Sequence, residues 1–188
     1  MAKQHAVCPW WIGYLLASPL RRLLQNPEEL LAPHIRSGMA VLEPGPGMGF
    51  FTLPIARMVG EGGCVYALDV QRKMLNGLER RAQKSGLSAR IRPRLVKADS
   101  LDAADLAAKI DLVCAIAVVH EMPAADRFFA QAVATLKPEG LLLLAEPAGH
   151  VSSAEFEAEL DAAKRHGLYI SSRPAVPRSH AAVLRKSN

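Results

Sequence analysis

The sequence has little cysteine, few aromatic residues and no long uninterrupted apolar run, and each shortage removes a class of protein. Cys8, Cys64 and Cys114 are the only cysteines in 188 residues. Odd in number and far apart, they supply neither a disulfide framework nor a four-cysteine zinc site. A reducing, cytoplasmic setting is therefore expected, with no metal. Residues 6–20 are apolar and follow Lys3, but Pro9, Gly13 and Pro19 interrupt them, and Arg21 and Arg22 close them where a signal peptide would carry small residues. The stretch is also too short to span a bilayer as a helix, so neither secretion nor a transmembrane segment is expected. Aromatic residues make up 5% of the chain. The basic residues near the C-terminus, Lys164, Arg165, Arg173, Arg178, Arg185 and Lys186, lack a set of interleaved aromatic rings to stack on bases, which disfavours nucleic acid as a partner. No internal repeat or low-complexity tract is present.

What is there is the composition of one globular domain. Half the residues are apolar, 22% are charged, and 23 Lys plus Arg against 18 Asp plus Glu leave a modest net charge of +5. Residues 1–36 read as an N-terminal helical cover, with short helices at about 12–25 and 27–35; Asn26, Pro27, Glu28 and Glu29 form a helix start. From residue 37 onward, apolar runs of strand length alternate with segments of helical period, the pattern of a parallel sheet flanked by helices. Strands are expected at 39–43, 64–69, 91–97, 111–117 and 141–146, with weaker ones at 168–175 and 181–185. Helices are expected at about 50–59, 71–85, 102–109, 124–136 and from Ser152 or Ser153 through 166. Lys137-Pro138-Glu139-Gly140 reads as a turn.

The sharpest motif, Val41-Leu42-Glu43-Pro44-Gly45-Pro46-Gly47-Met48-Gly49, falls between the first strand and its helix, where open α/β sheets bind ligands. A dinucleotide fingerprint would need glycine at the position of Phe50, so its spacing is wrong. Glu43, two residues before Gly45, would repel a pyrophosphate and attract a ligand carrying an ammonium and a sulfonium. Asp69 ends the second strand, where a carboxylate can accept from two ribose hydroxyls, and Asp99 follows the third strand, placed to meet an adenine edge.

In these residues the chain resembles the class I S-adenosylmethionine-dependent methyltransferases, most closely a small-molecule branch similar to the ubiquinone and menaquinone methyltransferases. The resemblance is carried by Glu43 to Gly49, Ala67-Leu68-Asp69-Val70, Ala98-Asp99-Ser100, Asp111 to His120 and Leu136 to Gly140. It covers residues 37–188 and implies a Rossmann-like α/β fold, a seven-stranded mixed sheet in the order 3-2-1-4-5-7-6 with helices on both faces. It further implies S-adenosyl-L-methionine as cofactor, with S-adenosyl-L-homocysteine as product. The family pattern assigns Glu43, Gly45, Gly47, Met48 and Gly49 to the methionine part, Asp69 to ribose, Val70 to the adenine face, Asp99 and Ser100 to the adenine amine, and Ala115 and Ile116 to the methionine part through backbone. Pro44 and Pro46 remove two N–H donors from the loop, leaving those of Gly45, Gly47, Met48 and Gly49 to bind.

Methyl transfer is an in-line displacement at an activated carbon, so alignment and desolvation suffice for a nucleophilic acceptor. For a phenol, an acidic carbon or an amine, His120, Glu121 and Glu146 are the residues placed to remove a proton, His120 having the best intrinsic pKa; the bland reading is that they orient substrate or hold the loop. The fourth strand leads into Val118-Val119-His120-Glu121 and not into an Asn/Asp-Pro-Pro-aromatic sequence, which argues against adenine or glutamine N-methylation. Cys64 and Cys114 read as core residues, whereas Cys8, Trp10, Trp11 and Tyr14 form an acceptor-side lid or packing. The expected partner is a small-molecule acceptor, and the chain a monomer or homodimer. RNA or protein methylation, and cofactor binding without transfer, are the alternatives.

Overall fold

The structure, a computed structural model, describes residues 26–187. Seven strands form one sheet: β1 (Ala40–Pro44), β2 (Cys64–Asp69), β3 (Ile91–Leu95), β4 (Ile110–Ile116), β5 (Leu136–Pro147), β6 (Leu168–Ser172) and β7 (Ser179–Lys186). Their order is β3-β2-β1-β4-β5-β7-β6. The first five are parallel, and β7 runs antiparallel between β5 and β6. The order is the one implied by the resemblance to the methyltransferases.

Among the described residues, five helices cover the sheet: α1 (Pro27–Leu31), α2 (Thr52–Met58), α3 (Arg72–Lys84), α4 (Ala125–Thr135) and α5 (Ser153–Arg165). Alternation along the strands splits the core in two. Val41, Leu112, Cys114 and Leu143 face one cluster with Leu31, Ile55, Leu75 and Leu78 of α1 to α3. Leu42, Val113, Ala115 and Leu142 face the other, with Phe128 and Phe129 of α4 and Phe156 and Leu160 of α5. Every second residue of a parallel strand therefore feeds an opposite core, which is why the central runs are apolar throughout. Each fully buried leucine or phenylalanine contributes about 1.5–3 kcal/mol. Cys114 is buried in this packing, which pushes its thiol well up and leaves it inert.

Local signals act as their chemistry requires. Asn26 caps α1, its Oδ1 accepting from the Glu28 N–H at 3.1 Å. Ser152 and Glu155 form a reciprocal capping box that fixes the start of α5. At the described end of the N-terminal segment, Leu30, Leu31 and Ile35 are buried against the α2 side of the sheet. Trp10, Trp11, Tyr14 and Cys8 lie outside the described residues.

Two expectations need correction. The helix expected at 102–109 is only a 3-10 turn, Ala104–Leu106, because Asp102 and Ala108 on either side adopt positive φ and stop it. The expected turn at 137–140 is part of β5. It forms a bulge in which Ile110 pairs with Leu136 and Leu112 pairs with Leu141, absorbing the extra residues with Glu139 at φ 61°. Among the described residues no helix is long and apolar enough to cross a membrane.

Candidate functional site

Parallel strands end on one edge, and there the structure opens a cavity of about 430 Å³, walled by the segments that follow β1, β2, β3, β4 and β5. Its lining is mostly apolar, with Asp69, Asp99, His120, Glu121 and His150 among the polar exceptions.

The glycine loop forms one wall. Gly45 has φ 66°, and a Cβ there would lie 2.5 Å from Val118 Cγ2, so glycine lets the loop after β1 touch the turn after β4. Gly47 has φ 53° with nothing within 4 Å of a Cβ position. The loop is braced from within: the Gly45 N–H donates to Leu68 O at 2.8 Å, the Gly47 N–H to Asp69 Oδ2 at 3.2 Å and the Gly49 N–H to Pro46 O at 2.9 Å. Three of the four N–H groups expected to face a ligand are thus spent inside the protein, because a loop this tight must satisfy its own backbone. Arg81 of α3 adds an outside brace, donating to Met48 O at 2.5 Å.

Asp69 lines the cavity from the end of β2, its second oxygen accepting from the Gln71 N–H at 2.8 Å. Burial pushes its carboxyl up to about 6, against the pull of the Gln71 and Gly47 N–H groups and with a push from Glu121. Val70 beside it is 37% exposed, an apolar platform on the wall. Glu43 is buried at the end of β1 and is not among the lining residues. Burial pushes its carboxyl up to about 8, and the charge of Asp69 raises it too. Neither Glu43 Oε2 nor Thr52 Oγ1 finds a hydrogen-bond partner in the protein.

The remaining expected residues divide. Gly45, Met48, Asp99, Ser100 and Ile116 line the cavity; Gly49 and Ala115 do not. Ala115 is fully buried in the α4–α5 core. Asp99 pairs with Arg127 at 3.1 Å, and the Ser100 hydroxyl donates to Asp102 Oδ1 at 2.8 Å, so both side chains already have partners.

At the other end of the cavity, β4 is followed by Ala117 at φ 54°, a strained position for alanine, and then by a 3-10 turn, Val119–Glu121. His120 from this turn lines the cavity, and its Nδ1 hydrogen bonds to Glu146 Oε2. Glu146 Oε1 accepts from the Val119 N–H at 2.8 Å and the Val118 N–H at 3.3 Å. Glu146 is fully buried and off the cavity wall, so it cannot reach an acceptor; instead of the base considered above, it is the residue that holds His120 and its turn. That carboxylate is the main reason His120 is held above the usual imidazole range, with burial opposing and Glu121 and Glu159 assisting. Donation from Nδ1–H to Glu146 makes Nε2 the basic nitrogen of the ring.

Two lining residues carry no signal that sequence reasoning used. His150 meets the His120 ring edge-on at 5.7 Å. Its loop is rigid: the His150 and Val151 N–H groups both donate to Pro147 O at 2.9 Å, and Val151 is buried. A histidine three residues past the carboxyl end of β5, the strand beside β4, was the available cue. Gln131 of α4 accepts from the Leu101 N–H at 2.6 Å, and nothing in its helix pattern sets it apart from a solvated residue.

The residues present fit a cofactor with a ribose, a flat base and a cationic end. Asp69 offers a carboxylate at the wall, Val70 an apolar face, Gly47 open space, and Glu43 an unpartnered buried carboxyl oxygen for positive charge. A pyrophosphate, by contrast, would meet two carboxyl groups and few unspent N–H donors.

Comparison with known proteins agrees. A family model described as a methyltransferase domain matches residues 35–172. A ubiquinone biosynthesis O-methyltransferase of Methylocella silvestris is 31% identical over 147 residues, 77% of this chain and 55% of that protein. One from Bradyrhizobium diazoefficiens is 27% identical over 144 residues, 77% of this chain and 53% of that protein. The chain thus spans about half the length of the curated relatives it matches. Among solved structures, an S-adenosylmethionine-dependent methyltransferase from Aquifex aeolicus superimposes with a TM-score of 0.84 at 25% identity, covering 95% of this chain and 98% of that one.

Proposed function

This chain belongs to the class I S-adenosylmethionine-dependent methyltransferase family, and on that premise we propose that it binds S-adenosylmethionine at the carboxyl edge of its sheet and methylates a small-molecule acceptor. The observation that carries the reading is the junction of Asp69 with the Gly47 N–H, which joins the β2 carboxylate to the glycine loop at the cavity wall. The ubiquinone O-methyltransferase relatives support a small-molecule acceptor.

When bound, the cofactor supplies an electrophilic methyl carbon on a sulfonium. The chain's part is binding, alignment and proton handling. Asp69 keeps lone pairs for ribose hydroxyls, Val70 backs the base, and the charge of Glu43 acts from beneath the loop on the cationic end. The apolar walls keep water from the reacting atoms. His120, with Nδ1 fixed by Glu146, receives the acceptor proton or orients the acceptor through hydrogen bonding.

Calorimetric titration with S-adenosylhomocysteine, with NAD as control, tests the reading. Micromolar or tighter binding of the first and none of the second is expected. Asp69→Ala should weaken it by about 1.5–3 kcal/mol, the loss of hydrogen bonds to a charged group. Binding of NAD in place of S-adenosylhomocysteine would end the proposal. A small acceptor keeps its affinity in high salt, whereas a nucleic acid loses it steeply.

A further inference from the structure

Beside the Glu146–His120 pair stands a third titratable group that the mechanism leaves unused. Glu159 is on α5, seven residues past the Ser152 cap, partly buried, with Oε2 closed off from solvent and without a hydrogen-bond partner. The packing of α5 puts it there. Phe156, three residues earlier, lies against the His180 ring at 5.5 Å. His180 in turn pairs directly with Glu146 across β5 and β7, and directly paired residues present their side chains on the same face of a sheet. Glu159 therefore comes down over the face that carries Glu146. Burial first, then the charge of Glu146, pushes its carboxyl up to about 8, with His120 pulling the other way and Glu155 adding a small push.

We propose that Glu159 is a positioning residue: brought by α5 over the face that carries Glu146, it acts with Glu146 to set how firmly His120 holds its proton. This rests on the reading of His120 as the residue that handles the acceptor proton. Among the described residues, the groups facing His120 include Glu146 from β5, Glu121 from its own turn, Glu159 from α5 and His150 from the loop after β5. Those around Glu159 are Glu146, His120 and Glu155, with His180 on the neighbouring strand. A second carboxylate beside the imidazolium would hold the proton on the ring, while a neutral acid lets it go. As pH rises, ionisation of Glu159 adds that second charge, so the loss of the His120 proton is spread over a wider range.

The test is the imidazole C–H resonance of His120, followed by NMR from about pH 5 to 10 in the full chain and assigned with His120→Gln. In the unsubstituted protein His120 should titrate broadly. In Glu159→Gln it should titrate as a single group with a lower midpoint, while Glu159→Asp restores part of the breadth. A merely structural role would lower the melting temperature and leave the midpoint alone. Identical His120 titrations with and without Glu159→Gln overturn the proposal. So does a Glu159 carboxyl that titrates at an ordinary carboxylate value in the unsubstituted protein, a measurement that does not depend on the variant folding. No cofactor is needed, so a negative result here is distinct from failure to bind S-adenosylhomocysteine.

Discussion

Glu146 shows how one position decides between reagent and support. At the end of a strand, a shift of one residue exchanges cavity for core, and a sequence leaves that parity open. Its carboxylate turns inward to His120 and to two backbone N–H groups, so its work is done through the histidine. Glu146→Gln should lower kcat at least about tenfold, within the usual contribution of proton transfer by a side chain. It should also move the pH–rate inflection to lower pH, because the main cause of the raised His120 value is gone. Affinity for the cofactor product should stay unchanged. A pH–rate profile that keeps its inflection would show that Glu146 does not act through His120. Asp69 was legible because it closes a strand next to the glycine loop. His150 was not, because an exposed histidine in a loop looks like any solvated residue until the fold brings it to His120.

Among the elements, the loop after β1 and the turn after β4 behave as one unit because they touch at Gly45 and Val118. Gly45→Ala places a methyl group 2.5 Å from the Val118 side chain at a positive φ, so it should both destabilise the fold and weaken cofactor binding. The loss should be about 1–3 kcal/mol in a thermal or denaturant melt, and Val118→Ala should recover part of it by making room. Strictly additive effects in this double-mutant cycle would show that the two segments are not in contact. Most elements were readable from period and caps: strand β2 fell where the residues placed it, and of the two serines offered for the start of α5, Ser152 is the cap. The missed helix at 102–109 and the bulge at 137–140 turn on single residues at positive φ, Asp102, Ala108 and Glu139. Composition does not mark such residues the way it marks glycine.

For the molecule as a whole, stability and ligand binding pull against each other at Glu43. Its folded-state value of about 8 stands above the ordinary 4.5, so the unfolded chain gives up the proton first. The resulting cost is absent below pH 4.5, grows as pH rises, and levels off past about 8. The melting-temperature advantage of Glu43→Gln over the unsubstituted protein should widen across that window while S-adenosylhomocysteine binds less well. A difference that is flat with pH would show that the carboxyl is already ionised in the free protein. At this scale the strands and helices were legible from their periods, whereas the strand order came from the resemblance to the methyltransferase family, since apolar runs alone leave several topologies open. Strand β7, inserted between β5 and β6, has a further consequence in biosynthesis. It leaves the ribosome after every other strand of the sheet, yet it alone covers the Leu141–Pro147 edge of β5. Until it arrives the nascent chain carries four consecutive leucines on an open edge, the kind of surface that invites pairing between chains. The pace at which β7 follows β5 out of the ribosome thus bears on how much of this protein escapes aggregation.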